Sequence, residues 1–264
     1  MINFNNNLPK LSIVTPSFNQ GDFLEQTIKS VLSQNYPNLE YIIMDGGSTD
    51  NSIEIIEKYS SHLSFWKSMP DKGQSAAIRE GFQRATGDIF AYINSDDYYL
   101  KDSFSNIIKI FHKYPNIQWV TGQGIVVNEN NIFQYKYKKP KITINNMVYL
   151  CNCVFQPATF WRKELYMMVG GINSNYSFSF DYDLFLHFLE HTPPILVNKE
   201  ISAFRIHNKS KTMNILYNVG MKEAKVIRQE FFQRNKINKN WMLEKFGEIY
   251  RENSIIEYCY NFII

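Results

Sequence analysis

Asp96 and Asp97 stand side by side just after an apolar run, Ile89 to Ile93. Adjacent carboxylates repel one another unless a cation or a donor-rich ligand compensates. Hard divalent ions such as Mg²⁺ and Mn²⁺ take oxygen ligands, typically one or two carboxylates plus the phosphates of a substrate. A capped turn with Asp as an ordinary turn residue is the other reading of the pair. Asp45 also closes an apolar run and precedes Gly46 and Gly47. Glycines let backbone approach a ligand closely, so the carboxylate can meet a ribose or a base, or simply serve a strand-to-helix turn. No G-x-G-x-x-G accompanies it, which excludes the dinucleotide fingerprint. In the polar turn Asp71-Lys72-Gly73-Gln74, Lys72 can meet a phosphate and Asp71 a base edge, or both can face water.

Asp181 and Asp183 flank Tyr182 at the start of an expected helix. Residues two apart do not share a helical face, so at most one of them aims into a cleft. Asp181, nearer the helix start, has the dipole in its favour and is expected to be ionised. An ionised carboxylate within reach can act as general base towards a hydroxyl; helix capping is its plainer role. Arg205 and His207 follow a late strand, with Lys209 and Lys211 nearby. Such cations can neutralise a diphosphate, a neutral His can ligate a metal, and a basic surface loop is the alternative.

These groups need positioning elements, and the apolar pattern supplies them. Leu11 to Thr15 reads as a buried parallel-type strand, Leu39 to Met44 as a second, and Ile89 to Ile93 as another, with a short strand near Phe65. Between them lie expected helices. The first carries a capping box of Asp22 and Glu25, the next has N-cap candidates among Ser48 to Asn51, and a third runs from Ser75 to Ala85. Phe104, Ile107, Ile108 and Phe111 mark a further helix. This alternation predicts an open, mostly parallel α/β sheet with helices on both faces. Ligands in such sheets bind beyond the carboxyl ends of strands, where Thr15-Pro16-Ser17, Asp45 and Asn94 to Asp97 all fall. The second half changes character. Trp119 to Lys138 reads as antiparallel strands, a helix is expected near Lys163 to Met168 and another from Asp181 to Glu190, and Ile195 to Val197 and Ile201 to Ile206 read as two late strands. From Met213 onward the pattern is helical, basic and aromatic.

The bulk numbers bound the function. With 264 residues and a net charge of +3, the chain suits one large α/β domain plus an extension, and no nucleic-acid partner is expected. Aromatics reach 16%, and a wide core is expected to absorb them. Three cysteines fit a reducing compartment, and Cys151-Asn152-Cys153 is read as small residues on or near a strand. Neither a signal peptide nor a membrane span is visible, so a cytoplasmic location is expected. The segment from Met213 can lie on the inner face of an anionic membrane, or pack against the domain or a second copy of the chain.

Four blocks, in order, resemble family 2 glycosyltransferases from about Leu11 to Thr212. LSIVTPSFNQGDFLEQTIKSVLSQNYPNLEYIIMDGGSTDNS resembles the family's nucleotide-binding start. DKGQSAAIREGFQRATGDIFAYINSDDYYL ends in its D-x-D-like region. FQPATFWRKELYMMVGGIN and FDYDLFL resemble the acceptor-side half, and AFRIHNKSKT a closing loop. The resemblance implies a GT-A fold with a donor half at about 11–115, an acceptor half at 116–212 and a helical extension at 213–264. It implies transfer from a nucleotide-diphosphate sugar, UDP- or dTDP-linked by preference, with Mg²⁺ or Mn²⁺ and inversion at the anomeric carbon. The acceptor is then a glycan or a lipid-linked molecule. By family analogy alone, the setting is bacterial surface polysaccharide synthesis.

Carried over by position, Thr15, Pro16 and Ser17 line the nucleotide site, with Asp45, Asp71 and Lys72. Asp96 touches the ribose or metal-bound water, Asp97 and His207 the metal, and Asp181 is the base. Gln156, Asp183 and Arg205 are candidates for the diphosphate and the acceptor. Two departures stand out. The first acid of D-x-D is an amide here, Asn94, so metal binding rests on Asp96-Asp97. Phe180 replaces the Glu that many relatives carry before the base, which leaves Asp181 and Asp183 both open. A non-catalytic sugar-nucleotide-binding subunit is the alternative function; it needs Asp45 and Asp97 but not Asp181.

Overall fold

The computed structural model describes residues 8–138, 140–240 and 242–251. The chain opens as β1 (Leu11–Ser17), α1 (Gly21–Leu32), β2 (Leu39–Asp45), α2 (Ser52–Lys58), β3 (Phe65–Ser68), α3 (Gln74–Arg84) and β4 (Ile89–Tyr92). It continues through β5 (Tyr98–Tyr99), α4 (Ser103–Lys113), β6 (Trp119–Asn128), β7 (Phe133–Lys136), α5 (Ile144–Tyr149), β8 (Thr159–Arg162) and α6 (Lys163–Met168). Then come α7 (Phe180–His191), β9 (Ile195–Ile206), α8 (Lys211–Ile215), a π-helical turn (Leu216–Gly220) and α9 (Met221–Arg234). All nine strands join one sheet in the order β3-β2-β1-β4-β8-β6-β9-β5, with β7 paired to β6. The first four strands are parallel to one another. β8 runs antiparallel to both β4 and β6, while β9 is parallel to β6 and antiparallel to β5.

The two-residue period of the strands divides the core. Val14, Ile42, Met44, Phe90 and Tyr92 face a layer containing Phe82 of α3, Phe185 and Phe188 of α7 and Ile227 of α9. Leu11, Ile13, Tyr41, Ile43 and Ala91 face Leu24 and Ile28 of α1, Ile56 of α2 and Phe104 of α4. Most of the aromatic surplus sits in these layers, as expected. Trp119 stacks on Phe185 at 6.0 Å between ring centroids, and Trp161 meets Phe82, Tyr92 and Phe188. Phe188 has no exposed surface, so truncating it to Ala costs about 3–5 kcal/mol.

Several local expectations are corrected. The capping box at α1 does not form. Gly21 N donates instead to Asp50 Oδ2 at 2.9 Å, and Asp50 Oδ1 accepts from Ser52 N at the start of α2, so one carboxylate serves two helix starts. Glu25 turns outward to Lys58 and Tyr59. The two late strands are one, β9, whose register against β6 shifts around Gln123 and so carries the pattern past Lys199 and Glu200. Cys151 and Cys153 lie in the loop after α5, not on a strand. β5 and α5 have no counterpart among the expected elements. The segment 242–251 is helical; Arg251 anchors it through Nη1 to Tyr149 O at 2.5 Å, while Met242, Phe246 and Ile249 are exposed. Trp241, Tyr258, Cys259 and Phe262 lie outside the described residues. Among those described, no helix is long and apolar enough to cross a membrane.

Candidate functional site

Parallel pairing puts the ends of β1, β2 and β3 level, with Ser17 opposite Asp45 and Asp45 opposite Ser68. Asp45 has no exposed surface. Its Oδ1 accepts from Gly47 N (3.0 Å), Ser48 N (2.8 Å) and Ser68 Oγ (2.6 Å), and its Oδ2 from Ser48 Oγ (2.6 Å). A carboxylate offers about four acceptor sites, so these donors use them up. The expected ribose or base contact therefore does not fit Asp45, which instead shapes the turn. Gly47 takes φ 84°, where a side chain is strained, and the missing Cβ of Gly46 leaves room for the Asp71 carboxylate, 3.2 Å from where that carbon would stand. Asp71 and Lys72 are exposed on the far side of this turn. Thr15 is likewise sealed in the sheet and shares a 3.1 Å hydrogen bond with the Tyr41 hydroxyl. Pro16 is buried. Ser17 differs, because its buried Oγ has no hydrogen-bond partner among the described residues. Sequence reasoning passed over two neighbours: Phe18 after β1 is 59% exposed and Met69 after β3 is 60% exposed. An exposed aromatic directly beyond a buried strand end was the available signal for a ring-stacking wall.

The Asn94–Asp97 turn separates its two acids. Asp97 is fully buried: Oδ1 accepts from Arg205 N at 2.9 Å and Oδ2 from Asn94 Nδ2 at 3.2 Å. Burial, and next the charge of Asp96, push its pKa well above the ordinary carboxylate range. This explains the amide at position 94. Asn94 gives Asp97 a donor, where an acid would add a third carboxylate to the cluster. The expected metal role of Asp97 does not fit a side chain turned into the sheet. Asp96 faces the other way, and its Oδ2 lies 3.0 Å from His207 Nε2. Arg205 does not reach a ligand either. It is 1% exposed, and its Nε, Nη1 and Nη2 donate to Asp96 O (2.8 Å), Glu129 O (3.2 Å) and Gln26 Oε1 (2.7 Å). The expected diphosphate cation is thus a strut beneath the turn, packed on Phe23 at 4.7 Å.

Asp96 and His207 suit a divalent ion. Asp96 Oδ2 and His207 Nε2 would offer one oxygen and one nitrogen ligand from neighbouring side chains, 3.0 Å apart and hydrogen-bonded to each other. No group of three or more His, Cys, Asp or Glu side chains converges among the described residues, so further ligands would be phosphate oxygens and water.

On the acceptor side of the chain, α7 separates its two acids as the helical period requires. Asp183 is buried against His187, 3.5 Å from its Nδ1, and burial raises its pKa. Asp181 keeps some exposure; it accepts from Asn152 Nδ2 at 3.2 Å and from Tyr182 N at 2.7 Å. Burial outweighs the helix dipole there and lifts its pKa to about 6, which leaves the group ionised at neutral pH. Gln156 is buried and donates to Tyr92 O at 2.8 Å, closing the end of β4. A hydrogen-bonded chain joins the two sides. Lys211 Nζ donates to Gln74 Oε1 (3.0 Å), Gln74 Nε2 to Asn94 Oδ1 (2.7 Å), and Asn94 to Asp97.

A family model described as glycosyl transferase family 2 matches residues 12–174. An uncharacterised glycosyltransferase of Rickettsia typhi is 22% identical over 82% of this chain and 70% of its own length. A putative teichuronic acid biosynthesis glycosyltransferase of Bacillus subtilis, TuaG, is 35% identical over 46% of this chain; the chain spans about half of that relative, 49% of its length. Among solved structures, Staphylococcus aureus TarS 1–349 with UDP-GlcNAc superposes with a TM-score of 0.66 at 18% identity, covering 83% of this chain and 66% of TarS. The mannosyltransferase PcManGT of Pyrobaculum calidifontis, in complex with GDP-Man and Mn²⁺, gives 0.63 at 15%, covering 92% of this chain and 68% of its own. At these identities the likeness shows the fold, the GT-A arrangement.

Proposed function

Because the chain belongs to glycosyl transferase family 2, we propose that it moves a sugar from a nucleotide-diphosphate donor onto a hydroxyl of a glycan or lipid-linked acceptor, with inversion. The observation that carries this reading is the link between two unlike acids: Asp96 stands beside His207 on the turn that Asn94 opens, and Asn94 is joined through Gln74 to Lys211, whose charge acts on Asp181 with its pKa near 6. Residues 11–115 would hold the donor, and 116–212 the acceptor. The base lies against Phe18 and Met69, with Ser17 Oγ and Asp71 offering polar contacts at the strand ends.

The acceptor oxygen attacks the anomeric carbon from the face opposite the diphosphate. Asp181 takes the hydroxyl proton as the new bond forms, and the bond to the leaving phosphate breaks on the other face, which inverts the centre. A carboxyl with a pKa near 6 is ionised at neutral pH yet basic enough to accept a proton in the transition state. Asp96 and His207 would hold a divalent ion, which supplies positive charge to the departing diphosphate when bound. UDP- or dTDP-sugars are the favoured donors, and a surface polysaccharide is the favoured product, a setting in line with the teichuronic acid role in the printed name of TuaG.

The test is release of nucleoside diphosphate from a panel of UDP-, dTDP- and GDP-sugars with Mn²⁺, comparing wild type with Asp181→Asn. Turnover of one donor, lost in the variant, is expected. Equal turnover by both proteins would remove Asp181 from the mechanism, and no turnover by either would favour the non-catalytic subunit.

A further inference from the structure

With Arg205 locked beneath the turn, the leaving diphosphate lacks the cation expected for it, and the remaining basic side chains differ sharply. Lys209 is exposed and paired with Asp22 at 3.2 Å. Lys72 is exposed on its turn. Lys211, at the start of α8, is part-buried. Its Nζ donates to Gln74 Oε1 and to the carbonyl of Ser177. Both partners are neutral, and it forms no ion pair with a carboxylate among the described residues. A part-buried ammonium without a contact counter-ion is costly unless another anion completes its surroundings.

The partners of Lys211 are themselves held. Glu223 of α9 accepts from Ser177 N (2.7 Å), Phe178 N (2.9 Å) and Ser179 N (2.7 Å), which fixes the loop carrying the Ser177 carbonyl. On the other side, Gln74 is tied to Asn94, the residue that opens the turn bearing Asp96. Lys211 is therefore tied, through Gln74 and Asn94, to the turn bearing the proposed metal ligand Asp96. Its field reaches Asp181, whose carboxylate it stabilises.

We propose that Lys211 is the diphosphate-binding cation of this site, resting on Gln74 and Ser177 until phosphate oxygens take the place of Gln74. This assignment rests on the transferase reading above. In the step itself, the acceptor oxygen bonds to the anomeric carbon and its proton goes to Asp181. The electron pair of the broken bond goes to the phosphate oxygen. Lys211 keeps its proton throughout and contributes charge alone.

The test measures binding of nucleoside diphosphate and of the matching monophosphate, with Mn²⁺, by calorimetry. It uses wild type, Lys211→Met, Lys211→Gln and Lys211→Arg, with Lys113→Met, at the exposed end of α4, as the control; the base is whichever of UDP, dTDP, GDP and CDP binds wild type. A phosphate-specific role predicts that Lys211→Met and Lys211→Gln weaken the diphosphate about tenfold or more, which is about 1.4 kcal/mol, and leave the monophosphate within twofold. Lys211→Arg should recover most of the loss, and Lys113→Met should show little. Lys211→Gln keeps a donor for the Ser177 carbonyl, so it stands in if Lys211→Met fails to fold. Equal weakening of both nucleotides, or no change in either, overturns the assignment. Wild type that binds none of the four overturns the transferase reading itself, and this assignment with it.

Discussion

The donor-side strand ends and the acceptor-side helix treat their acids in opposite ways. At the strand ends, Asp45 and Asp97 have no exposed surface and spend their oxygens on backbone amides, hydroxyls and an amide side chain. They hold loops. On α7, Asp181 keeps some exposure and accepts from Asn152 and Tyr182 N, and burial raises its pKa to about 6. Framework and reactivity thus fall on different residues, even on neighbours, since Asp97 is framework while Asp96 faces His207. Asp97 and Asp181 each accept two hydrogen bonds, so what separates them is exposure: an acid sealed in the core shapes a site, and one that keeps some exposure can react.

The largest expected effect is on activity. Asp181→Asn should lower kcat about 10²–10⁴-fold, with nucleotide affinity within twofold, measured by diphosphate release and calorimetry. Asp96→Ala should follow: a loss of about 100-fold or more in Mn²⁺-dependent activity with a melting point close to wild type, because the residue holds a ligand and not the fold. Asp97→Ala should reverse that pattern in stability. It strands the buried Arg205 N–H and should cost about 1–3 kcal/mol in urea unfolding, with activity falling only as far as the turn loosens.

A smaller effect has two signs. Activity should rise with pH through about 6, as Asp181 loses its proton. Stability should move the other way. A carboxyl whose folded pKa exceeds its unfolded value favours folding at low pH; that contribution is full below the usual carboxylate range and is lost as pH rises through about 6. Asp181→Asn should therefore be more stable than wild type at pH 7.5, by roughly 1–2 kcal/mol after allowing for partial solvent screening, and should converge with it near pH 4. A variant less stable than wild type at pH 7.5 would place Asp181 with the framework acids.

The parallel half of the sheet was legible in the sequence because buried strands there read as continuous runs of β-branched residues ending in polar clusters. Position at a strand end therefore nominated the neighbourhood that the proposed site uses. Orientation was not legible. Whether Asp96 or Asp97 turns inward depends on Arg205, more than a hundred residues away, and no local pattern contains that contact. The same holds for Arg205: three acceptors from three separate parts of the chain decide that it is a strut and not a phosphate clamp. The raised pKa of Asp181 was not legible, because the dipole is a property of its own helix, while the burial comes from the elements around it. Asn94 did carry a usable signal, since an amide in a D-x-D position implies a neighbour that needs a donor.

The most direct test of the central claim is thermal unfolding of wild type and Asp96→Ala with UDP, dTDP, GDP or CDP, each with and without Mn²⁺. A ligand that binds only the folded state adds about 2.7 kcal/mol at a hundred times its Kd. The expected result is stabilisation of wild type by one nucleotide when Mn²⁺ is present, abolished by Asp96→Ala. Stabilisation that needs no metal, or that survives in Asp96→Ala, would contradict the assignment of Asp96 and His207, and no stabilisation by any nucleotide would contradict the donor site as a whole.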